Sequence, residues 1–170
     1  MSVDRGSGGV EFSAIGRPSA LKIHGKGALP HGQLILSTTS ASGNLTFDLD
    51  SLDTGIKMRN EHMKQKYLET GKYSQATLIL THLSTSDSLL SGDAKMDSVP
   101  FAGTLTLHGI QKPVTGIAKL QRNANQMSIE ANFGIKIADY GISIPTFAGI
   151  TMADDVTVAV QISAPLTAQE

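Results

Sequence analysis

The stretch MSIEANFGIKI, residues 127–137, decides the fold class because apolar and polar side chains alternate over most of its length. Successive side chains of a β-strand point to opposite faces, so this alternation predicts a strand with one apolar and one wet face. The residues on the apolar face are Met127, Ile129, Ala131, Phe133, Ile135 and Ile137. Such a strand is typical of an antiparallel sheet that covers a core on one side only.

The same period recurs on both sides of this stretch. The clear cases are residues 45–50, 104–108 and 156–162, and the weaker ones are 10–14, 19–27, 32–38, 76–84, 89–97 and 114–121. Turn-rich segments near positions 17, 27, 40, 109 and 122 separate them. Regular short strands predict an all-β barrel or sandwich. The length of 170 residues predicts a single domain over residues 1–170.

Composition argues against several classes of function. The chain has no Cys, which excludes disulfides, thiolate metal sites and a Cys nucleophile. A formal net charge of -1 provides no basic field, so we expect no nucleic-acid partner. The first residues, MSVDRGSGGVEF, lack the basic and apolar regions of a signal peptide. We therefore expect either a cytoplasmic protein or the mature form of an exported one.

The alternation stops at SLDTGIKMRNEHMKQK, residues 51–66, where charged residues cluster. The apolar residues here fall on one rough helical stripe, formed by Met58, Met63 and Tyr67. Gly71 follows as a stop signal. The stretch therefore predicts a short amphipathic helix near 57–69, with Asp53 or Thr54 as its N-cap.

The sequence contains none of the motifs we sought for catalysis or metal binding. Glu61 and His62 are adjacent, so on a helix they point about 100° apart and do not form a chelating pair. HExxH, GxSxG, SxxK and phosphate-loop patterns are missing. His24 and His108 each precede a Gly, which favours a role in turns. We expect no metal, no cofactor and no catalytic residue.

The sizes of the inward side chains do not decide whether the interior is filled or hollow. They are mostly Leu, Ile, Val, Met and Ala, and the chain has no Trp. A barrel of eight strands either fills its interior with side chains or holds one small ligand. Composition alone is compatible with both outcomes.

Several motifs follow one another along the chain, at residues 51–63, 67–69 and 72–76, in GTLTLHGIQKPVTG at 103–116 and in FGIKIADYGI at 133–142. In their order and spacing they resemble the YceI-like family of lipid- or polyisoprenoid-binding proteins. The resemblance implies an elongated, eight-stranded antiparallel, lipocalin-like barrel whose hollow interior holds a long isoprenoid or acyl chain. It also implies a binding or carrier protein and not an enzyme, commonly periplasmic and often dimeric.

Three residues depart from the family pattern. Asn60 and Ser74 replace the usual Asp and Pro, and Ile137 replaces the usual Arg. If that Arg meets the head group of a ligand, Ile137 predicts a preference for a less anionic head group. Loss of one charge-assisted contact is worth roughly 1.5–3 kcal/mol.

We therefore predict a non-enzymatic carrier for a polyisoprenoid, an isoprenoid quinone or a fatty acyl chain, with a homodimer and a transient membrane encounter as further expectations. Burial alone, at roughly 0.8 kcal/mol per methylene, would hold such a chain. The alternative is a structural or stress-related interaction module with a filled core. The predicted ligand-binding residues are Phe12, Ile23, Phe47, Leu49, Arg59, His62, Met63, Tyr67, Leu105, Leu107, Phe133, Ile135, Ile137 and Phe147.

Overall fold

The chain forms a curled antiparallel sheet in a computed structural model that describes residues 1–17, 22–147 and 150–167, without the side chains of residues 17, 147 and 150. The strands are β1 (Ser7–Arg17), β2 (Lys22–Gly27), β3 (His31–Leu36), β4 (Ser40–Asp48), β5 (Gln75–Ser84), β6 (Ala94–Leu107), β7 (Ile110–Asn123), β8 (Gln126–Lys136), β9 (Thr146–Phe147) and β10 (Ile150–Pro165). Their order across the sheet is β2-β1-β10-β8-β7-β6-β5-β4-β3, and β9 pairs with β10.

Helical segments are short and lie between strands. The helices are α1 (Lys57–His62), which continues as a π-helical turn (Met63–Tyr67), and α2 (Asp87–Ser91). The 3-10 turns are Val3–Arg5, Leu49–Ser51 and Ile137–Tyr140. This arrangement confirms the all-β class and the helical insertion near 57–69.

The strand count differs from the prediction, because the described residues form ten strands and not eight. The short β9 had no periodic signal in the sequence. The predicted strand at 89–97 is wrong at its start, because residues 89–91 belong to α2 and β6 begins only at Ala94. Ser86 caps this helix, since its hydroxyl accepts the Leu89 N–H at 3.4 Å, and a capped turn competes with the extended conformation.

Two other local predictions differ from the structure. The segment at 40, predicted as a turn, is the first half of β4, where the register shifts between Ala41 and Gly43. A bulge of this kind bends a strand without ending it. The predicted strand at 19–27 begins at Lys22 among the described residues, and its first three positions lie outside them.

The sheet curls into a half-barrel whose edge strands are β2 and β3. Backbone from outside the ladder pairs with both edges. The Leu34 N–H on β3 donates to the Met1 carbonyl at 3.0 Å. On β2, Lys26 and Asp53 exchange two backbone hydrogen bonds of 2.9 and 2.7 Å. Pairing of this kind blunts edges that would otherwise offer unpaired groups to another chain.

The interior is filled at one end of the half-barrel. Its fully buried side chains include Val3, Leu89, Leu120, Met127 and Ala164. Arg122 holds α2 against this end, because its guanidinium donates to the carbonyls of Leu89, at 3.2 Å, and Leu90. Within the part of the chain that the structure describes, no helix has the length and apolar character needed to cross a bilayer.

Candidate ligand cavity

The opposite end of the half-barrel is hollow. It contains a cavity of about 540 Å³, inside the roughly 300–1,000 Å³ range of small-molecule sites. Strand side chains form its walls, and residues 56–67, which we call the lid, form another side. Ile56, Met58 and His62 both line the cavity and are exposed, which places its mouth at the lid.

Thirteen of the fourteen predicted ligand-binding residues line this cavity. Those on strands are Phe12, Ile23, Phe47, Leu105, Leu107, Phe133 and Ile135; those on 3-10 turns are Leu49 and Ile137; those on the lid are Arg59, His62, Met63 and Tyr67. The side chain of Phe147 lies outside the described residues. The contact of these side chains with a ligand stays a prediction.

The cavity has further lining residues that the sequence prediction missed. They include Ile56, Met58, Leu78, Ile142, Pro145, Met152, Val156, Val158 and Val160. The three valines carried a signal, because their alternation already placed them on the inner face of β10. Ile142 and Pro145 lie outside the strands and helices, between the 3-10 turn at Ile137–Tyr140 and β9, and the sequence there has no periodic pattern.

Two glycines on β2 make room for aromatic rings in the cavity wall. A Cβ at Gly25 would lie 2.1 Å from the Phe12 ring, and one at Gly27 would lie 2.4 Å from the Phe47 ring. Each ring therefore lies against bare backbone. Gly25 was predicted to form a turn after His24, which is wrong, since both residues are inside β2.

The lid begins without the predicted N-cap. Ile56 precedes α1, and it has no side-chain capping bond. The helix then widens, because the Leu68 N–H donates to the Met63 carbonyl five residues earlier, at 2.8 Å. Such π-helical turns are rare and recur at functional sites. Here the wider turn carries Met63 and Tyr67, which both line the cavity.

Asn60 fastens the start of the lid. Its side-chain oxygen accepts the Thr54 N–H at 2.8 Å and the Thr54 hydroxyl at 2.7 Å. Its side-chain nitrogen donates to the Asp53 carboxylate at 2.8 Å. The Asn60 amide, followed by the Gly55 N–H, lowers the pKa of Asp53. Asp53 and Thr54 thus hold the lid through Asn60 and not by capping its backbone.

Arg59 is fixed at the rim of the cavity by the same loop. Its Nε donates to the Thr54 hydroxyl at 2.9 Å, and a terminal nitrogen donates to the Thr54 carbonyl at 2.7 Å. The guanidinium is partly buried and belongs to the cavity lining. A cation in this place suits a polar head group at the mouth better than the middle of a hydrocarbon chain.

His108 fastens the segment that follows the lid. Its Nε2 lies 2.5 Å from Glu69 Oε2, and its Nδ1 lies 3.0 Å from the Tyr140 carbonyl oxygen. A carbonyl only accepts, so Nδ1 carries a proton. The Tyr73 ring lies 4.6 Å from the imidazole, centre to centre. The predicted turn at Gly109 is present, with a φ of 74°.

No group of three or more His, Asp or Glu side chains able to hold a metal ion occurs among the described residues. The cavity wall is largely hydrocarbon. Among its polar side chains, Thr54 precedes the lid, Arg59 and His62 belong to it, and Thr146 lies on β9. A binding site of this kind recognises shape and apolar surface along most of its length.

The fold and the cavity define a hollow, lipocalin-like β half-barrel with a helical lid over an apolar interior. The model of the YceI-like domain matches residues 3–164, and the chain belongs to this family. A UPF0312 protein of Yersinia enterocolitica is 31% identical over 107 residues, which are 59% of this chain and 51% of that protein. A UPF0312 protein of Yersinia pseudotuberculosis matches with the same identity and coverage. The chain spans about half the length of the curated relatives that it matches.

Solved structures share the fold at low sequence identity. Burkholderia cenocepacia BcnA gives a TM-score of 0.73 at 20% identity, over 91% of this chain and 96% of that one. A polyisoprenoid binding domain from Saccharophagus degradans, implicated in plant cell wall breakdown, gives 0.67 at 22% identity, over 94% of both chains. The YCEI protein of Campylobacter jejuni gives 0.66 at 18% identity, over 85% of both. At these identities the likeness shows the fold alone.

Proposed function

We propose that this protein is a carrier that holds one long apolar chain, such as a polyisoprenoid, an isoprenoid quinone or a fatty acyl chain, without chemical turnover. The observation that carries the proposal is the apolar cavity of about 540 Å³. The description of the Saccharophagus degradans domain as polyisoprenoid-binding supports the same class of ligand. A filled-core interaction module is less well supported, because only one end of the interior is filled.

Burial of hydrocarbon is the source of affinity in this proposal. Each methylene transferred from water into the cavity contributes about 0.8 kcal/mol, before the costs of ordering the chain. The polar head would stay at the lid beside Arg59 and His62. Ile137 lines the apolar wall at the position where the family usually has Arg, which supports a weakly charged or neutral head group.

Extraction of the purified protein tests the proposal most directly. The protein should be purified without detergent, extracted with organic solvent and analysed by mass spectrometry, and the stripped protein should then be titrated with farnesol. We expect an apolar chain in the extract and saturable binding of farnesol. An empty extract together with no binding of farnesol or of a fatty alcohol would refute the proposal.

A transient encounter with an anionic membrane is part of the same proposal, and the lid is the surface that suits it. Ile56 and Met58 are 52% and 59% exposed at the cavity mouth. The lid has one acidic residue, Glu61, whereas the chain as a whole has a formal net charge of -1. The basic residues of the lid are Lys57, Arg59, Lys64 and Lys66. Such a charge distribution would turn the mouth toward anionic lipid, at about 1 kcal/mol per basic residue near the surface.

Sedimentation with vesicles tests this encounter. We expect salt-sensitive binding to vesicles of phosphatidylglycerol and phosphatidylcholine, and weak binding to phosphatidylcholine alone. The double variant Ile56→Ser/Met58→Ser should lose binding. Ile35→Ser is the matched control, since Ile35 is 50% exposed on β3, away from the lid. Equal binding by both variants would refute the assignment of the lid.

The periplasmic location and the homodimer remain proposals that follow from the family. Cell fractionation of the native host tests the location, and a purely cytoplasmic protein would refute it. Sedimentation velocity with and without farnesol tests the dimer, and a monomer in both conditions would refute it.

A further inference from the structure

A second void lies deeper in the half-barrel, between the cavity and the filled end. Its volume is about 40 Å³. Its lining is formed by Leu34, Leu45, Leu80, Leu83, Phe101, Ala118, Ile129, Ala131, Val160 and Ile162. Leu45 and Val160 line both the void and the main cavity. The two spaces are therefore neighbours along the axis of the half-barrel.

Two aromatic rings in contact with each other line the two spaces, one ring in each. Phe133 lines the main cavity, and Phe101 lines the deeper void. The ring centres are 6.1 Å apart, and the rings meet edge to face at 89°, a favourable arrangement for aromatic side chains. Both residues are buried.

Gly116 makes room for the Phe101 ring. It is the direct partner of Phe101 on one side and of Phe133 on the other, across three adjacent strands. A Cβ at this position would lie 2.7 Å from Cε1 of Phe101 and 2.8 Å from its Cζ. The Phe101 ring therefore lies directly on the backbone of β7. This close contact keeps the ring against the sheet, beside Phe133.

We propose that the Phe101–Phe133 pair is a floor that sets the greatest length of chain the cavity accepts. The inference rests on the proposed carrier function and adds a length limit to it. A chain that enters at the lid extends down the apolar wall until its end meets Phe133. Additional methylenes then stay outside the cavity, at the mouth. Without the Phe101 ring, the deeper void joins the cavity and the chain reaches further.

Binding of straight-chain primary alcohols of increasing length to the stripped protein measures this limit. In the unaltered protein, affinity should rise about fourfold per methylene, which corresponds to about 0.8 kcal/mol. It should then stop rising once the chain meets the floor. In Phe101→Ala, we expect the rise to continue for about two more methylenes, which is a gain of about fifteenfold for the longer alcohols.

Phe47→Ala is the matched control. It removes the same ring from the cavity wall beside Gly27, and Phe47 does not line the deeper void. We expect it to weaken all alcohols without moving the length at which affinity stops rising. If Phe101→Ala does not fold, Phe101→Leu makes the same test with a smaller shift. Adding Ala131→Val to Phe101→Ala should fill the deeper void and restore the original limit on chain length.

The possible results separate the two proposals. An unchanged limit in the folded Phe101 variants would overturn the floor while leaving the carrier function intact. An equal shift in Phe47→Ala would also overturn it, because the limit would then reflect cavity volume alone. Failure of the unaltered protein to bind any straight-chain alcohol would overturn the floor, and together with an empty extract and no binding of farnesol it would refute the carrier function itself.

Discussion

Truncation of matched leucines tests the division of the half-barrel into a hollow and a filled end. Leu105 on β6 lines the cavity and is 8% exposed, whereas Leu120 on the neighbouring β7 is fully buried at the filled end. A Leu→Ala change removes hydrocarbon worth about 2.4 kcal/mol at about 0.8 kcal/mol per methylene. In a packed core, the cavity left behind raises the total cost to about 3–5 kcal/mol.

The two positions should differ because Leu105 already borders empty space. Its cavity-facing atoms lack packing partners, so their removal forfeits fewer dispersion contacts. We expect Leu105→Ala to cost about 2 kcal/mol and Leu120→Ala about 1–2 kcal/mol more. For a chain of this size, that gap corresponds to roughly 2–8 °C in Tm.

Urea unfolding of the stripped protein, followed by circular dichroism, measures both free energies of unfolding. Thermal unfolding provides the independent Tm. Equal losses for the two variants, or a larger loss for Leu105→Ala, would refute the idea that only one end is hollow. Farnesol should raise the Tm of the unaltered protein by mass action.

Two further predictions concern the lid and the cavity wall. Asn60→Asp removes the principal hydrogen-bond donor to the Asp53 carboxylate, which lowers the pKa of that group. A lowered folded-state pKa stabilises the fold at pH values above the unfolded-state pKa. This stability is lost as pH falls through the folded-state pKa. The thermal stability deficit of the variant should therefore be greatest near neutral pH and shrink as pH falls below the ordinary Asp pKa of about 3.9 toward the lowered pKa of Asp53; a deficit that grows on acidification would contradict this. Gly25→Ala should push the Phe12 ring out of its place, so farnesol affinity should change about fourfold or more, the worth of one methylene. Gly71→Ala, where a Cβ meets nothing within 4 Å, is the control, and equal affinities in both variants would contradict the role of the ring.

The sequence predicts the all-β class because strand alternation is a local property. Ile135 and Val158 fall on the inner face by counting in twos, and the structure places both in the cavity wall. The helical insertion was also predictable, since the charges and the stripe at 58–67 interrupt this alternation. In these cases the signal and the structure involve neighbouring residues of the chain.

The features that hollow out one end were not predictable, because they depend on partners distant in sequence. Phe12 finds its space only because Gly25 lies opposite it in the ladder between β1 and β2. In the same way, the Phe101 ring finds its space because Gly116 lies opposite it in the ladder between β6 and β7. The identity of a residue sets the volume of its side chain, whereas the strand register decides which side chains lie next to one another.

The half-barrel stays folded around a cavity because most of its stabilising contacts lie away from the cavity. A void forfeits dispersion contacts, so the hollow end is supported by elements other than its own packing. The strands that form the cavity wall continue as hydrogen-bonded ladders into the filled end around Leu120 and Met127. Asn60 anchors the start of the lid, and the contact between Glu69 and His108 anchors the segment after it. Binding can thus use the weakly packed end, while the filled end and the continuous ladders hold the fold.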